Sequence, residues 1–192
     1  MKIGTYSYEE YVQAVKSFHG TLAPGLLLGG FMVDLALKNV PEGDFFDSIC
    51  ETETCLPDAV QLLTPCTIGN GWLKVFDFGK FAVTLYEKYN GEGVRVYLDI
   101  EKLKAWPEVN SWFFKLKTKK EQDSDLLMSQ IKEAGHSIIS MQKIKVVPEK
   151  LTRKKAGASS ICPVCGEAYP VKHGDKCRNC AGESPYTSVS SF

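Results

Sequence analysis

The chain has 192 residues, of which 44% are hydrophobic and 24% charged, and its formal net charge is zero. This composition is typical of a folded globular protein, with room for one ordinary domain and a small appendage. The chain lacks a run of about 18 apolar residues, which argues against a membrane span, and residues 1–6 lack the apolar core of a signal peptide. We therefore expect a cytoplasmic protein whose seven cysteines are thiols or metal ligands rather than disulfides.

The first part of the chain predicts two helices joined by a loop. Ser7 and Glu10 have the spacing of a capping box, which predicts a helix over residues 7–19. Glycine and proline in residues 20–25 predict the loop. The second helix, over residues 26–37, is apolar nearly all round, so we expect it to be buried.

Beyond residue 41 the pattern changes to short strands and further helices. We predict a strand at 47–54, a helix at 58–63, strands at 72–78, 81–89 and 94–98, helices at 101–115 and 121–134, and a strand at 137–147. The three middle strands alternate apolar and polar residues and are separated by tight turns, which predicts an antiparallel meander. The expected fold class is α+β, an antiparallel sheet flanked by helices.

Two C-x2-C pairs follow near the end of the chain. Cys162 and Cys165 form the first pair, and Cys177 and Cys180 form the second after eleven intervening residues. Each pair can aim two sulfurs at one ion, and four sulfurs make the closed tetrahedral set of a structural zinc site. Two disulfides or a thioredoxin-type redox pair are the alternatives, but neither explains two matched pairs so close together. The spacing predicts a structural Zn²⁺ in a module too short to fold without metal.

The predicted organisation is a core at residues 1–150, a linker at 151–160, a zinc-ribbon or treble-clef-like finger at 161–185 and a flexible tail at 186–192. From Lys143 to Arg178, nine Lys and Arg residues oppose three Asp and Glu residues, an excess of six positive charges. A basic segment beside a zinc module can attract phosphate, and a merely solvated linker is the alternative.

Three loops of the core carry the other candidate site residues, each where an element is predicted to end. These residues are His19, Cys55, Asp58 and Cys66, with Glu51 and Glu53 as additional oxygen donors. Such side chains could bind a second metal or a small ligand, or could act as a base. A capping histidine and small buried cysteines are the alternative.

The same loops resemble motifs of the FmdE family, which is named for a component of formylmethanofuran dehydrogenase. Residues 18–25, Phe-His-Gly-Thr-Leu-Ala-Pro-Gly, resemble that family's opening Phe-His-Gly-His-x-Cys-Pro-Gly loop. Residues 55–61 and 65–71 resemble its Cys-x-x-Asp-Ala-Ile-Gln and Gly-Cys-Thr-x-Gly-Lys-Gly segments, and residues 77–80 its Asp-Tyr-Gly-Lys. The resemblance covers about residues 8–150, and some members of the family carry a C-terminal zinc finger.

This resemblance implies an α+β core and an intertwined homodimer in which the finger reaches the partner protomer. Thr21 and Ala23 stand where the family has histidine and cysteine, so two donors of a metal site are missing. Formylmethanofuran dehydrogenase chemistry needs a molybdenum or tungsten pterin and electron-transfer clusters, and this chain has no ferredoxin-type cysteine run. A small-molecule pocket is therefore a stronger expectation for the core than a second metal.

We thus expect a ligand-binding or regulatory protein with a structural zinc finger that contacts a protein or, as the weaker alternative, nucleic acid. The alternative function is an enzyme or an accessory subunit linked to a molybdenum or tungsten oxidoreductase. In that case the site would lie at the His19, Cys55 and Cys66 loops, with His19 as base or ligand and Cys66 as a thiolate.

Overall fold

The computed structural model describes residues 1–43, 45–147, 151 and 157–186. The chain divides into two compact units, Met1–Val147 and Pro148–Phe192. The predicted linker and tail, residues 151–160 and 186–192, fall largely outside the described residues.

The helices of the first unit begin and end close to the predicted positions, with one exception. They are α1 Tyr8–His19, α2 Pro24–Leu37, α3 Leu56–Leu63, α4 Ile100–Leu103, α5 Pro107–Phe113 and α6 Ser124–Ala134. The capping box of α1 is present, because the Glu10 N–H donates to Ser7 Oγ at 3.2 Å and the Ser7 N–H donates to Glu10 at 2.7 Å. The single helix predicted over residues 101–115 is wrong, because Pro107 disfavours helical backbone at Trp106 and divides the segment.

A five-stranded sheet forms the other layer of the core. Its strands are β3 Phe46–Cys50, β4 Leu73–Val75, β5 Ala82–Glu87, β6 Glu92–Leu98 and β7 Ile139–Lys145, while β1 Lys2–Ile3 and β2 Tyr6–Ser7 form a separate hairpin. The order across the sheet is β4-β3-β5-β6-β7, and all pairs except β3–β4 are antiparallel. Helices packed on this sheet confirm the α+β class.

The predicted meander is wrong in its first strand. β4 does not pair with β5 but runs parallel to β3 at the sheet edge, with Lys74 opposite Ile49. β3 takes the place beside β5, where Ile49 is opposite Thr84. The hairpin between β5 and β6 is as predicted, with Tyr86 opposite Gly93. Alternation within β4 cannot reveal a partner that lies before α3 in the chain.

Helix α2 forms the middle of the core and packs on β5, β6, α3 and α6. A Cβ at Gly30 would lie 2.5 Å from the Tyr11 ring, and a Cβ at Gly29 would lie 2.9 Å from the Cβ of Ala59. The Tyr11 hydroxyl also donates to the Leu26 carbonyl at 2.9 Å, which holds α1 against α2. Although α2 is strongly apolar, no helix among the described residues has both the length and the hydropathy needed to cross a membrane.

The second unit is small and has little regular structure. It contains an antiparallel hairpin of β8 Ser159–Ile161 and β9 Ala168–Pro170, then short helical turns at Val171–His173 and Asn179–Glu183. Tyr169 is buried, and its hydroxyl donates to the Gly174 carbonyl at 2.9 Å.

Gly30→Ala should destabilise the core, although alanine is the better helix former. The added Cβ would overlap the Tyr11 ring, and such overpacking costs about 1–3 kcal/mol, which exceeds the gain of up to about 1 kcal/mol in helix propensity. Urea unfolding followed by circular dichroism should show a lower midpoint. Gly69→Ala is the matched control, because its Cβ would meet only Thr67 Oγ1, at 3.8 Å. A raised midpoint for Gly30→Ala would contradict the close helix contact.

Candidate functional site

The four cysteines predicted as zinc ligands converge in the second unit. The Sγ atoms of Cys162, Cys165, Cys177 and Cys180 all lie within 4.8 Å of one another. The Sγ atoms of Cys165 and Cys177 are 3.8 Å apart. Sulfurs at tetrahedral positions, each about 2.3 Å from zinc, are about 3.8 Å apart, whereas disulfide sulfurs are about 2.05 Å apart. All seven cysteines of the chain are free, so the geometry fits one structural zinc and not two disulfides.

Backbone N–H groups prepare these sulfurs for metal. The Cys177 N–H donates to Cys162 Sγ at 3.5 Å, and the Cys180 N–H donates to Cys177 Sγ at 3.4 Å. Hydrogen bonds from the backbone of Cys177 and Cys165 lower the pKa of Cys162 to about 6. Gly166, at φ 79°, closes the first turn by donating its N–H to the Cys162 carbonyl at 2.9 Å. Because the thiolate is the ligand form of cysteine, this arrangement favours metal binding.

The predicted core residues are not gathered into one ligand set. Among the described residues, only the four finger cysteines form a group of three or more such ligands within 4.8 Å of one another. Cys66 is fully buried, with its Sγ 3.5 Å from the Phe46 carbonyl. Cys55 packs on Gly25, where an added Cβ would lie 3.0 Å from its Sγ.

Burial also keeps the core thiols protonated. Desolvation is the main cause that raises the pKa of Cys50, Cys55 and Cys66. A protonated thiol is a poor nucleophile, so the environment of Cys66 does not support the thiolate considered for it.

His19 and Asp58 do meet. His19 Nδ1 lies 2.8 Å from Asp58 Oδ2, and the His19 side chain is 29% exposed. The other Asp58 oxygen accepts from Gln61 Nε2 at 3.5 Å, and Gln61 Oε1 accepts from the Ile68 N–H at 3.3 Å. A carboxylate on Nδ1 orients the imidazole and leaves Nε2 as its atom for proton transfer or ligation. The three predicted loops are thus linked by hydrogen bonds through His19, Asp58 and Ile68 rather than by a shared metal.

Cys55 has a strained backbone that the sequence did not reveal. Its φ and ψ are 55° and −48°, and the Leu56 N–H donates to the Thr54 carbonyl at 2.5 Å across it. This is a γ-turn with positive φ, a rare and strained conformation. Strain of about 1–3 kcal/mol persists only where the surroundings fix it, and it is common near functional sites. Here the turn begins α3 and sets Cys55 against the start of α2.

A cleft of about 700 Å³ opens beside the loop that follows His19. Its lining residues are Thr21, Leu22, Ala23, Pro24, Trp112, Lys115, Lys117, Lys119, Gln122, Ser124, Leu127 and Met128. Thr21 and Ala23, the two departures from the family's opening loop, are therefore both in its wall. The opposite wall, from Trp112 to Met128, was missed by the sequence analysis, and the run Lys115-Leu-Lys-Thr-Lys-Lys120 was the signal that could have indicated it.

Two interactions fix the lysine segment of this cleft. Lys117 Nζ donates to the buried Glu108 carboxylate at 2.6 Å, and Glu108 also accepts from the Asp123 N–H at 3.3 Å. Lys115 has φ 53° just after α5, a left-handed position where glycine is usual. A residue with a Cβ pays about 1–2 kcal/mol for this conformation.

The other polar residues of the core are already paired. Glu51, a predicted oxygen donor, accepts two hydrogen bonds from Arg95, at 2.5 and 2.7 Å. A further network was missed from sequence: Lys74 Nζ and the Tyr86 hydroxyl donate to Asp47 Oδ2 at 2.8 and 3.3 Å. Alternation puts each of these residues on the polar face of its strand, but only the observed strand order makes them neighbours.

An α+β core and a four-cysteine finger define this chain as a two-unit zinc-finger protein. Residues 18–147 match the family model "FmdE, Molybdenum formylmethanofuran dehydrogenase operon", and residues 153–187 match "FmdE treble clef zinc finger". The chain belongs to the FmdE family.

Two similar proteins extend this result. The crystal structure of a tungsten formylmethanofuran dehydrogenase FmdE-like protein from Syntrophus aciditrophicus is 55% identical, with a TM-score of 0.88 over 97% of this chain and 98% of that chain. A "Probable S-adenosyl-L-methionine-binding protein" from Archaeoglobus fulgidus is 30% identical over 188 residues, 87% of this chain and 51% of that protein. The chain thus spans about half the length of this curated relative.

The full chain should bind one zinc ion, and Cys177→Ser should lose it, because three remaining thiolates leave the tetrahedral set open. Cys50→Ala, in the core, should keep one zinc. Lowering the pH should release the metal, since protons compete with it for the thiolates. Elemental analysis and a colorimetric zinc-release titration measure both effects. Full zinc retention by Cys177→Ser would contradict this site, and a different metal retained by it would reveal one in the core.

Proposed function

We propose that this FmdE-family protein binds a small molecule in the cleft beside the His19 loop and is not a complete formylmethanofuran dehydrogenase. The cleft is the observation that carries the proposal, because its volume of about 700 Å³ falls within the range of ligand sites. Its wall combines apolar side chains such as Leu22 and Leu127 with the aromatic Trp112 and a few polar groups, a composition typical of ligand pockets.

The relative from Archaeoglobus fulgidus supports a role in small-ligand binding, because its name describes a probable S-adenosyl-L-methionine-binding protein. Only about half of that protein is shared, so we transfer the kind of role and not the ligand.

We also propose a cytoplasmic homodimer in which the finger docks on the second protomer. The seven free thiols are compatible with a reducing compartment. Ile161 and Val164 in the finger are 71% and 68% exposed, and exposed apolar groups of this kind favour a protein contact. Nucleic acid is the weaker partner, since Arg178 in the finger is already paired with Glu183 at 2.6 Å.

Filling the cleft should abolish ligand binding. Fragments screened by NMR against the zinc-loaded full chain should shift the Trp112 indole signal, and Thr21→Trp should weaken them at least about tenfold by occupying the space. Ser17→Trp, at an exposed position outside the cleft lining, is the matched control. Fragments that bind elsewhere, or that tolerate Thr21→Trp, would refute a cleft site.

Val164→Asp should weaken the dimer, because a carboxylate would replace an apolar contact. Size-exclusion chromatography with light scattering should give twice the chain mass for the wild type and a shift toward the monomer for the variant. Lys176→Asp, which changes charge without removing an apolar group, should remain dimeric. A wild-type mass equal to one chain would disprove the dimer.

The His19–Asp58 contact favours one second candidate, an enzyme or an accessory subunit of a molybdenum or tungsten oxidoreductase. A histidine oriented by a carboxylate at 2.8 Å has the arrangement of a general base. The likeness to a tungsten formylmethanofuran dehydrogenase FmdE-like protein is compatible with the accessory role.

If His19 is a base, His19→Gln should lower turnover about 10²–10⁴-fold, and Asp58→Asn should lower it less. The measurement is hydrolysis of a panel of ester, thioester and phosphoester substrates by the zinc-loaded chain. His173→Gln in the finger is the control. Turnover that survives His19→Gln, or no turnover of any substrate, would count against a hydrolytic base at His19.

A further inference from the structure

The charged residues that line the cleft are all lysines. Lys115, Lys117 and Lys119 line it, and no Asp or Glu does. Lys117 is neutralised by the buried Glu108 at 2.6 Å. Lys115 and Lys119 form no ion pair within the part of the chain that the structure describes, so their charge is uncompensated. Two unpaired ammonium groups beside a concave surface create a positive potential there.

The start of α2 adds to this potential. Ala23 is the N-cap residue of α2, and no side chain caps this end of the helix. The N-terminal backbone N–H groups of a helix carry a partial positive charge. The helix α6, which also begins at the cleft, differs because Asp123 caps it by accepting from the Leu126 N–H at 2.9 Å. The cleft therefore has positive charge on two sides, from the lysine segment and from α2.

The apolar part of the cleft suits a flat group. Trp112 contributes an aromatic ring, and Leu22, Leu127 and Met128 contribute aliphatic surface. Aromatic rings favour stacked or edge contacts with other rings, and a methionine thioether also packs well on them.

Lys115 keeps a cation at a position where glycine would be conformationally favoured. Its φ of 53° is in the left-handed region, and the Lys115 N–H donates to the Trp112 carbonyl at 3.2 Å at the end of α5. Backbone strain of this kind is common at ligand sites. The strained residue is here also one of the two unpaired cations.

We infer that the cleft selects a small anion that carries a planar ring, with the ring against Trp112 and the phosphate or carboxylate at Lys115, Lys119 and the start of α2. This inference rests on the proposed cleft function and names the ligand class. It separates this chain from a cleft for S-adenosyl-L-methionine, whose sulfonium cation would face the lysines.

Matched ligands that differ only in charge test this selection. Adenosine 5′-monophosphate, adenosine and S-adenosyl-L-methionine share one ring, and 2-naphthoate with 2-naphthamide forms a carboxylate pair. Calorimetric titration of the zinc-loaded full chain should show at least one anion binding about tenfold more tightly than its neutral counterpart, with the difference reduced by salt. The two series distinguish a phosphate from a carboxylate ligand.

Lys115→Gly and Lys119→Gln should each weaken the preferred anion about three- to tenfold without changing the neutral compound. Lys120→Gln, next in the chain but outside the cleft lining, should have no effect. Lys115→Gly should melt at the same or a higher temperature, because glycine relieves the left-handed backbone, so its weaker binding cannot be attributed to unfolding.

Equal or tighter binding of the neutral compounds or of S-adenosyl-L-methionine would overturn the anion selection while leaving cleft binding intact. If neither anion binds, the ligand class is wrong. The fragment screen with Thr21→Trp then decides separately whether the cleft binds any ligand.

Discussion

The absence of side chains at three positions of α2 sets how closely the surrounding helices approach. A Cβ at Gly25, Gly29 or Gly30 would lie within 3.0 Å of Cys55, Ala59 or Tyr11 respectively. Because α1 and α3 are drawn onto α2 at these points, the loop that joins α1 to α2 is short and its ends are fixed. That loop forms one wall of the cleft and carries His19 at its beginning. The candidate chemistry of the core thus depends on close packing inside it.

The seven cysteines show how environment decides the role of one residue type. In the finger, backbone N–H groups surround the sulfurs and stabilise the thiolate of Cys162. In the core, apolar surroundings raise the pKa of Cys50 and Cys66, which behave as small apolar side chains. The two classes have similar neighbours in sequence, with proline close to each of Cys55, Cys66 and Cys162. Only the fold separates metal ligands from packing residues.

Predictability from sequence followed the distance over which each feature is determined. The capping box of α1 and the C-x2-C turns are complete within a few residues, and the structure has both. The break at Pro107 was also local, and the continuous helix predicted there overlooked it. The parallel pairing of β4 with β3 could not be found, because it depends on two segments separated by α3. The cleft could not be found either, since its walls come from residues 21–24 and 112–128. Nor does any pattern announce positive φ at Lys115 or Cys55, where glycine would be the expected residue.

The order of the strands has a consequence for the synthesis of this chain. β7, at Ile139–Lys145, is the last strand of the core in sequence, and it pairs with the whole length of β6. His136, just before it, contacts the buried Asp34 of α2 at 2.7 Å. Nascent chains emerge and fold from the N-terminus, so the core sheet cannot close until Lys145 has left the ribosome. The cysteines of the finger are translated after that point, and their sulfurs therefore meet zinc only once every strand of the core sheet has been made.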